Sequence, residues 1–206
     1  QWILSVGARG KDSPPKTIEE MRAYAKEFHA SVYDRIKDAE PTSEIRTFRK
    51  ATATRRKAWE AARWPEGLLP IGDSLSSVNP TYGQGMTVAA GEADALAKLL
   101  DKRAAEGGGL AGLAKEYLIA AAEISGRAWS LSVNSDYVYP ETEGERPANF
   151  AMSRAMASVL RKLADEDLEF RILRYRLVHM LETADALRSG PLGIRFFTAL
   201  QGSMAS

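Results

Sequence analysis

The sequence predicts a helix-dominated α/β fold with few strands, and three observations carry that expectation. Apolar residues recur at helical spacing in Met21, Tyr24, Ala25, Phe28 and Val32, and again in Leu113, Tyr117, Ala120, Ile124 and Leu131. Small residues crowd a further helical stretch at Ala89, Ala90, Gly91, Ala93, Ala95 and Ala97. Strand character is confined to short runs at 1–6, 45–50 and 68–71.

Taken in order, residues 1–6 hold Trp2, Ile3 and Val6 and stop at Gly7, as a strand does. Residues 11–15 read as a turn with Ser13-Pro14-Pro15 as its breaker. Thr17 then caps a helix, with Glu20 three residues on to complete a capping box. A second short helix over 31–39 ends before Pro41. Residues 46–57 carry six basic side chains, Arg46, Arg49, Lys50, Arg55, Arg56 and Lys57, which read as a solvated face or a set of surface ion pairs. Residues 55–62, with Trp59, form a short helix or turn before Pro65. A helix from 84 to about 100 follows. Gly91 inside it costs about 0.5–1 kcal/mol relative to alanine, so close approach to a sheet or a ring system is the better reason for it. Residues 107–112, GGGLAG, fit the spelling GxGxxG but follow a helix, not a strand, and so read as a helix stop and flexible linker. After the next helix, 134–147 is irregular. Two helices follow at 150–163 and 165–181, with Asp165 and Glu166 opening the second. In it Arg171, Arg174 and Arg176 cover apolar surface. Ser189-Gly190-Pro191 is a stop. The Phe196-Phe197 pair leaves two readings, docking into the body and a weak membrane-surface contact.

Composition bounds the function. The chain has 206 residues, enough for one large domain or two small ones, and a hydrophobic share of 45% is ordinary for a globular protein. A net charge of +1 supplies no field for nucleic acid. With no cysteine, disulfides and thiolate chemistry are excluded, and two distant histidines, His29 and His179, argue against a metal site. No run of about 18 apolar residues suggests a membrane span. The opening QWILSVGARGKD lacks a start methionine and the order of a signal peptide, and reads as a strand entered in mid-protein. The expected location is the cytoplasm.

The most informative stretch is 68–89, LLPIGDSLSSVNPTYGQGMTVA. An apolar run of Leu68, Leu69 and Ile71 reads as a strand end that delivers Gly72-Asp73. A loop with Asn79, Pro80, Gly83 and Gly85 then opens a helix. A carboxylate at a strand end accepts hydrogen bonds from ribose or ribityl hydroxyls. Glycines let backbone amides approach a ligand, and a helix N-terminus offers free N–H groups and partial positive charge.

Together with Trp64-Pro65-Glu66-Gly67 before it and Tyr82-Gly83-Gln84-Gly85-Met86 within it, this stretch resembles the second flavin-binding motif of FAD-dependent monooxygenases. It is most similar to the branch of squalene epoxidase and the polyprenyl-methoxyphenol hydroxylases. A looser likeness runs from the opening strand through Asp136-Tyr137 and Tyr139-Pro140 to the C-terminal helices. The resemblance implies the C-terminal part of a Rossmann-like FAD-binding fold. Residues 1–103 would carry the end of a substrate-domain sheet, the flavin motif and its helix, and 104–206 a helical C-terminal extension. It implies FAD held by Gly72, Asp73, Pro80, Gly83, Gln84, Gly85 and Met86, with NAD(P)H as reductant, oxygen as oxidant and a small apolar organic substrate. The ADP-binding strand–GxGxxG–helix is absent here, so the N-terminal remainder of the same polypeptide is an expected partner. An arginine of the basic run would approach the cofactor or a nicotinamide dinucleotide. On the same scaffold the alternatives are a flavin-dependent reductase and a halogenase. An alternative of another class is a flavin-free helical interaction domain.

Two further readings compete for these residues. Gly72-Asp73-Ser74-Leu75 also spells the nucleophile block of GDSL esterases, but serine attack needs a base. Neither histidine sits in the Asp-x-x-His setting of those enzymes, so Ser74 reads as a loop residue. The bland reading is a buried strand, a turn and a helix with no ligand.

Overall fold

The computed structural model describes residues 3–8, 13–48 and 53–205. Expectations that fall on Gln1, Trp2, Lys11, Arg49 and Lys50 lie outside the described residues. The chain divides into two compact units, Gln1–Ala51 and Thr52–Ser206.

In the first unit, α1 (Ile18–Phe28) starts as its sequence dictates: Thr17 accepts from the Glu20 amide and the Glu20 side chain reaches back to the Thr17 amide. His29 ends α1 and caps α2 (Ala30–Ile36). Arg22 ties the pair together by donating to the carbonyls of Ile36 and Ala39. Residues 3–8 and 44–48 have no regular structure, against the strands expected at 1–6 and 45–50. A strand needs a neighbour to take its N–H and C=O groups, and no ladder reaches either segment among the described residues.

The second unit is helical, with one short antiparallel ladder: β1 (Thr54–Arg55) pairs with β2 (Ser76–Ser77), Thr54 opposite Ser77 and Arg55 opposite Ser76. Around it lie α3 (Gly85–Ala105), α4 (Leu113–Asp136), α5 (Phe150–Glu166), α6 (Leu168–Val178) and α7 (Gly190–Ala205). Helices α3 and α4 pack side by side. A Cβ on Gly91 would lie 3.2 Å from Ile124 Cγ2, a close approach to a helix where a sheet or a ring system was expected. The boundary expected at 103/104 falls within the last turn of α3, which packs on α4.

The glycine run between them is a helix stop, as read, but it is pinned. Gly107 is left-handed, and the Gly108 amide donates to the Arg103 carbonyl. Arg103 itself donates to the carbonyls of Gly109 and Ala111 and pairs with Glu116. Helix α4 extends to Asp136, past Asn134 where irregular backbone was expected.

Helices α5, α6 and α7 share a core of Val159, Ala164, Phe170, Leu173, Leu187, Phe196 and Leu200. Asp165 and Glu166 belong to the last turn of α5. The cap of α6 is Asp167, whose carboxylate accepts from the amides of Glu169 and Phe170. Arg171 is also used internally, donating to the carbonyls of Ala164 and Asp165 at the end of α5. Gly190-Pro191 begins α7 instead of marking a stop, with proline where a missing N–H does no harm. Of the two phenylalanines, Phe196 is fully buried and Phe197 is 39% exposed. No helix among the described residues is long and apolar enough to cross a membrane.

Helix α6 closes with Leu181 N–H donating to the Arg176 carbonyl. This places Met180 in the left-handed region at φ 60°, where glycine is usual. The Met180 side chain packs against Val78, Val88 and Ala128.

Candidate functional site

Residues 68–71 are not a strand. Ile71 has extended backbone, but no neighbouring strand pairs with it among the described residues, and Leu68 is 52% exposed. The segment is held by side chains instead. The Tyr117 hydroxyl donates to the Pro70 carbonyl at 3.0 Å, and the Gly72 amide donates to Glu92 Oε2 at 2.6 Å. The chain then makes a single 3₁₀ turn, Gly72–Ser74.

Gly72 is required twice over. Its φ is +61°, and a Cβ there would lie 3.2 Å from Ala89 Cβ on α3. Asp73 follows with its carboxylate exposed and accepting from Ser77 Oγ at 3.0 Å. Its Oδ1 lies 3.8 Å from where a Cβ on Gly85 would be. Asp73 therefore stands beside the first residue of α3. No side chain caps that helix, so its leading amides stay open.

The loop between is a second 3₁₀ turn, Pro80–Tyr82, with Pro80 exposed at its first position. Asn79 caps it by accepting from the Thr81 amide. Gly83 is left-handed at φ +67°, with open space where a Cβ would go. Gly85 has no positive φ, so any need for glycine there comes from the space beside Asp73 and not from the backbone. Met86 is 86% exposed.

Gln84 departs from the expected cradle. Its side chain is buried and donates to the Val178 carbonyl at 2.7 Å, latching the end of α6, while its Oε1 has no partner among the described residues. The structure thus gathers Gly72, Asp73, Gly83, Gly85 and Met86 around the start of α3. It turns the Gln84 side chain away from them.

Four residues around the site were not singled out by the sequence reading. Glu92 is fully buried, and burial pushes its carboxyl above the usual range, opposed by the Gly72 amide. Asp136 accepts from Asn79 Nδ2 and the Tyr82 hydroxyl, each at 2.9 Å, and from Ser132 Oγ at 3.3 Å, so it ties the Pro80 loop to α4. Arg55 donates to the Ala122 carbonyl at 2.7 Å and lies over the Trp59 ring at 4.6 Å; it is an internal strut and not a solvated charge. Arg56 donates to the carbonyl of Ser74, the residue after Asp73, at 2.7 Å. The signals were weak: Glu92 is a single acidic residue within a helical pattern, Asp136 lay in a stretch read as irregular, and the two arginines sit in a basic run. Among the described residues no group of His, Cys, Asp and Glu is arranged to hold a metal.

No protein-family model matches the chain. It is 31% identical over 153 residues to Protein Rv3254 of Mycobacterium tuberculosis (strain ATCC 25618 / H37Rv). That alignment covers 70% of this chain and 30% of the relative, so the chain spans less than a third of the length of the protein it matches.

Proposed function

We propose that this chain is the flavin ring- and ribityl-binding part of an FAD-dependent monooxygenase or related oxidoreductase. The observation that carries the reading is the exposed Asp73 carboxylate set beside the uncapped N-terminus of the 21-residue helix α3. Three features fit the cofactor. Asp73 is an acceptor for ribityl or ribose hydroxyls. The open amides of the first turn of α3 are donors for an electron-rich ring edge, favoured further by the helix dipole. Gly83 leaves free space on the same loop. Bound there, the flavin would supply the redox chemistry, taking a hydride from NAD(P)H and activating oxygen for an apolar substrate.

The protein's own part is position and electrostatics. Glu92 and Tyr117 hold the turn before Asp73, and Asp136 holds the loop before Gly83. Arg56 brings positive charge next to Asp73, where a phosphate or a reduced ring would gain from it. The Rossmann-like sheet and the ADP site that this reading needs would lie in the remainder of a polypeptide as long as the relative. A peripheral membrane contact would fall to exposed apolar side chains such as Ile172 on α6 and Ile194 on α7.

The test is Asp73→Ala in the full-length protein, with FAD affinity measured by fluorescence titration. Losing a charge-assisted hydrogen bond of about 1.5–3 kcal/mol should weaken binding roughly tenfold to a hundredfold. Unchanged affinity in a folded variant would sink the assignment.

A further inference from the structure

Among the described residues Glu92 is the one acidic side chain that is buried, at 0% exposure. It sits about two turns into α3, directly against the turn that carries Asp73. One carboxylate oxygen takes the Gly72 amide at 2.6 Å; the other, Oε1, has no hydrogen-bond partner among the described residues. As packing this is a poor choice. A buried carboxyl with half its capacity unmet costs stability that an apolar side chain of similar volume would not.

What the carboxyl supplies is direction. The Pro70 carbonyl and the Gly72 amide, two residues apart, are taken by side chains from different helices, Tyr117 of α4 and Glu92 of α3. A donor and an acceptor fixed from two helices leave the intervening peptides little freedom to rotate. The next residue is Asp73. Ala89, one turn before Glu92, closes on the Cα side of Gly72 from the same helix.

We propose that Glu92 is a positioning residue, a buried acceptor that fixes the Gly72 amide and thereby sets the Asp73 carboxylate beside the open end of α3. The ligand served by this arrangement rests on the flavin reading; the anchoring does not.

The experiment uses the full-length protein with Glu92→Gln, Glu92→Asp and Glu92→Leu, and Leu173→Ala in the distant α5–α7 core as a control for general instability. Two readouts are taken: amide exchange of Gly72 by NMR, and FAD affinity by titration. Glutamine keeps the acceptor and should hold Gly72 protection and FAD affinity within about threefold of wild type. Aspartate, one methylene short of Gly72, and leucine, with no acceptor, should speed Gly72 exchange and weaken FAD about tenfold. Leu173→Ala should lower stability without either effect. The rescue by glutamine is what a merely space-filling role would not produce, since leucine fills space as well. If the leucine variant does not fold, the aspartate variant decides. Wild-type Gly72 protection and FAD affinity in the aspartate or leucine variant would overturn the proposal. If the wild-type protein takes up no FAD, the flavin reading falls alone, and Gly72 exchange across the variants still decides the role of Glu92.

Discussion

Helices α5, α6 and α7 meet through Val159, Phe170, Leu173, Phe196 and Leu200, all buried and all apolar. In the segment from Pro70 to Tyr82 the anchors are polar: Tyr117 on Pro70, Glu92 on Gly72, Arg56 on Ser74, and Asp136 on Asn79 and Tyr82. Apolar burial is strong but without direction. It fixes which helix faces touch and tolerates exchange of one apolar side chain for another. Leu75 and Val78 of this segment are buried among apolar neighbours, but the stretch Gly72–Ser74 that presents Asp73 has little side-chain volume to bury, and directional bonds fix its backbone. Tyr117, Glu92 and Asp136 reach the segment from α4 and α3, which pack side by side, and Arg56 reaches it from the end of β1.

The difference can be broken from either side. Phe170→Ala should have the largest effect on stability, about 3–5 kcal/mol from a fully buried aromatic, read by denaturant unfolding. Gly72 exchange under native conditions should stay as in the wild type, because no polar anchor of the turn is touched. Faster Gly72 exchange in that variant would mean that the two regions are not separately held.

Gln84→Ala comes next. Its side chain latches the end of α6 and does not face the cradle, so the loss should appear as about 1–3 kcal/mol of stability from an unpaired Val178 carbonyl. FAD affinity should change little, because the Gln84 backbone amide survives. A large loss of FAD with unchanged stability would return the side chain to the cradle.

The smallest effect sharpens the comparison through pH. Burial raises the Glu92 carboxyl in the folded state above its ordinary range, so the fold favours its protonated form. The stability this contributes is full below the unfolded value and is lost as pH rises through the folded one. Tyr117, which faces Glu92 from α4, is pushed upward and stays neutral across that window. Glu92→Gln should therefore match the wild type at acid pH and gain on it toward neutrality in thermal unfolding. A difference in Tm that does not vary with pH would contradict a carboxyl raised by burial.

Much of this was legible where one stretch of chain decides its own structure. The Thr17 capping box, the stop after α3 and a glycine at 83, left-handed at φ 67°, are local, and all appear in the structure. What depends on distant partners was not legible. The expected strands at 1–6, 45–50 and 68–71 had the right residue types, but a strand exists only with a neighbour. Asp136 meets Asn79 and Tyr82 across 57 and 54 residues. Nothing in AAGEADAL distinguishes Glu92 from any exposed helical glutamate until α3 is laid against Gly72. The start of α6 was misplaced for a smaller reason: three acidic residues, Asp165, Glu166 and Asp167, lie together, and only backbone geometry selects the last as the cap.

Met180 carries a consequence for how this chain can vary in length. It ends α6 in a conformation that glycine would adopt more easily, yet it packs, half-buried, against the cluster of Val78, Val88 and Ala128. Each residue added to or removed from α6 would swing its terminus by about 100° and shift it about 1.5 Å, carrying the methionine away from that cluster. The helix thus behaves like a measured spacer: substitutions along its outer face are free to accumulate, while insertions and deletions are not.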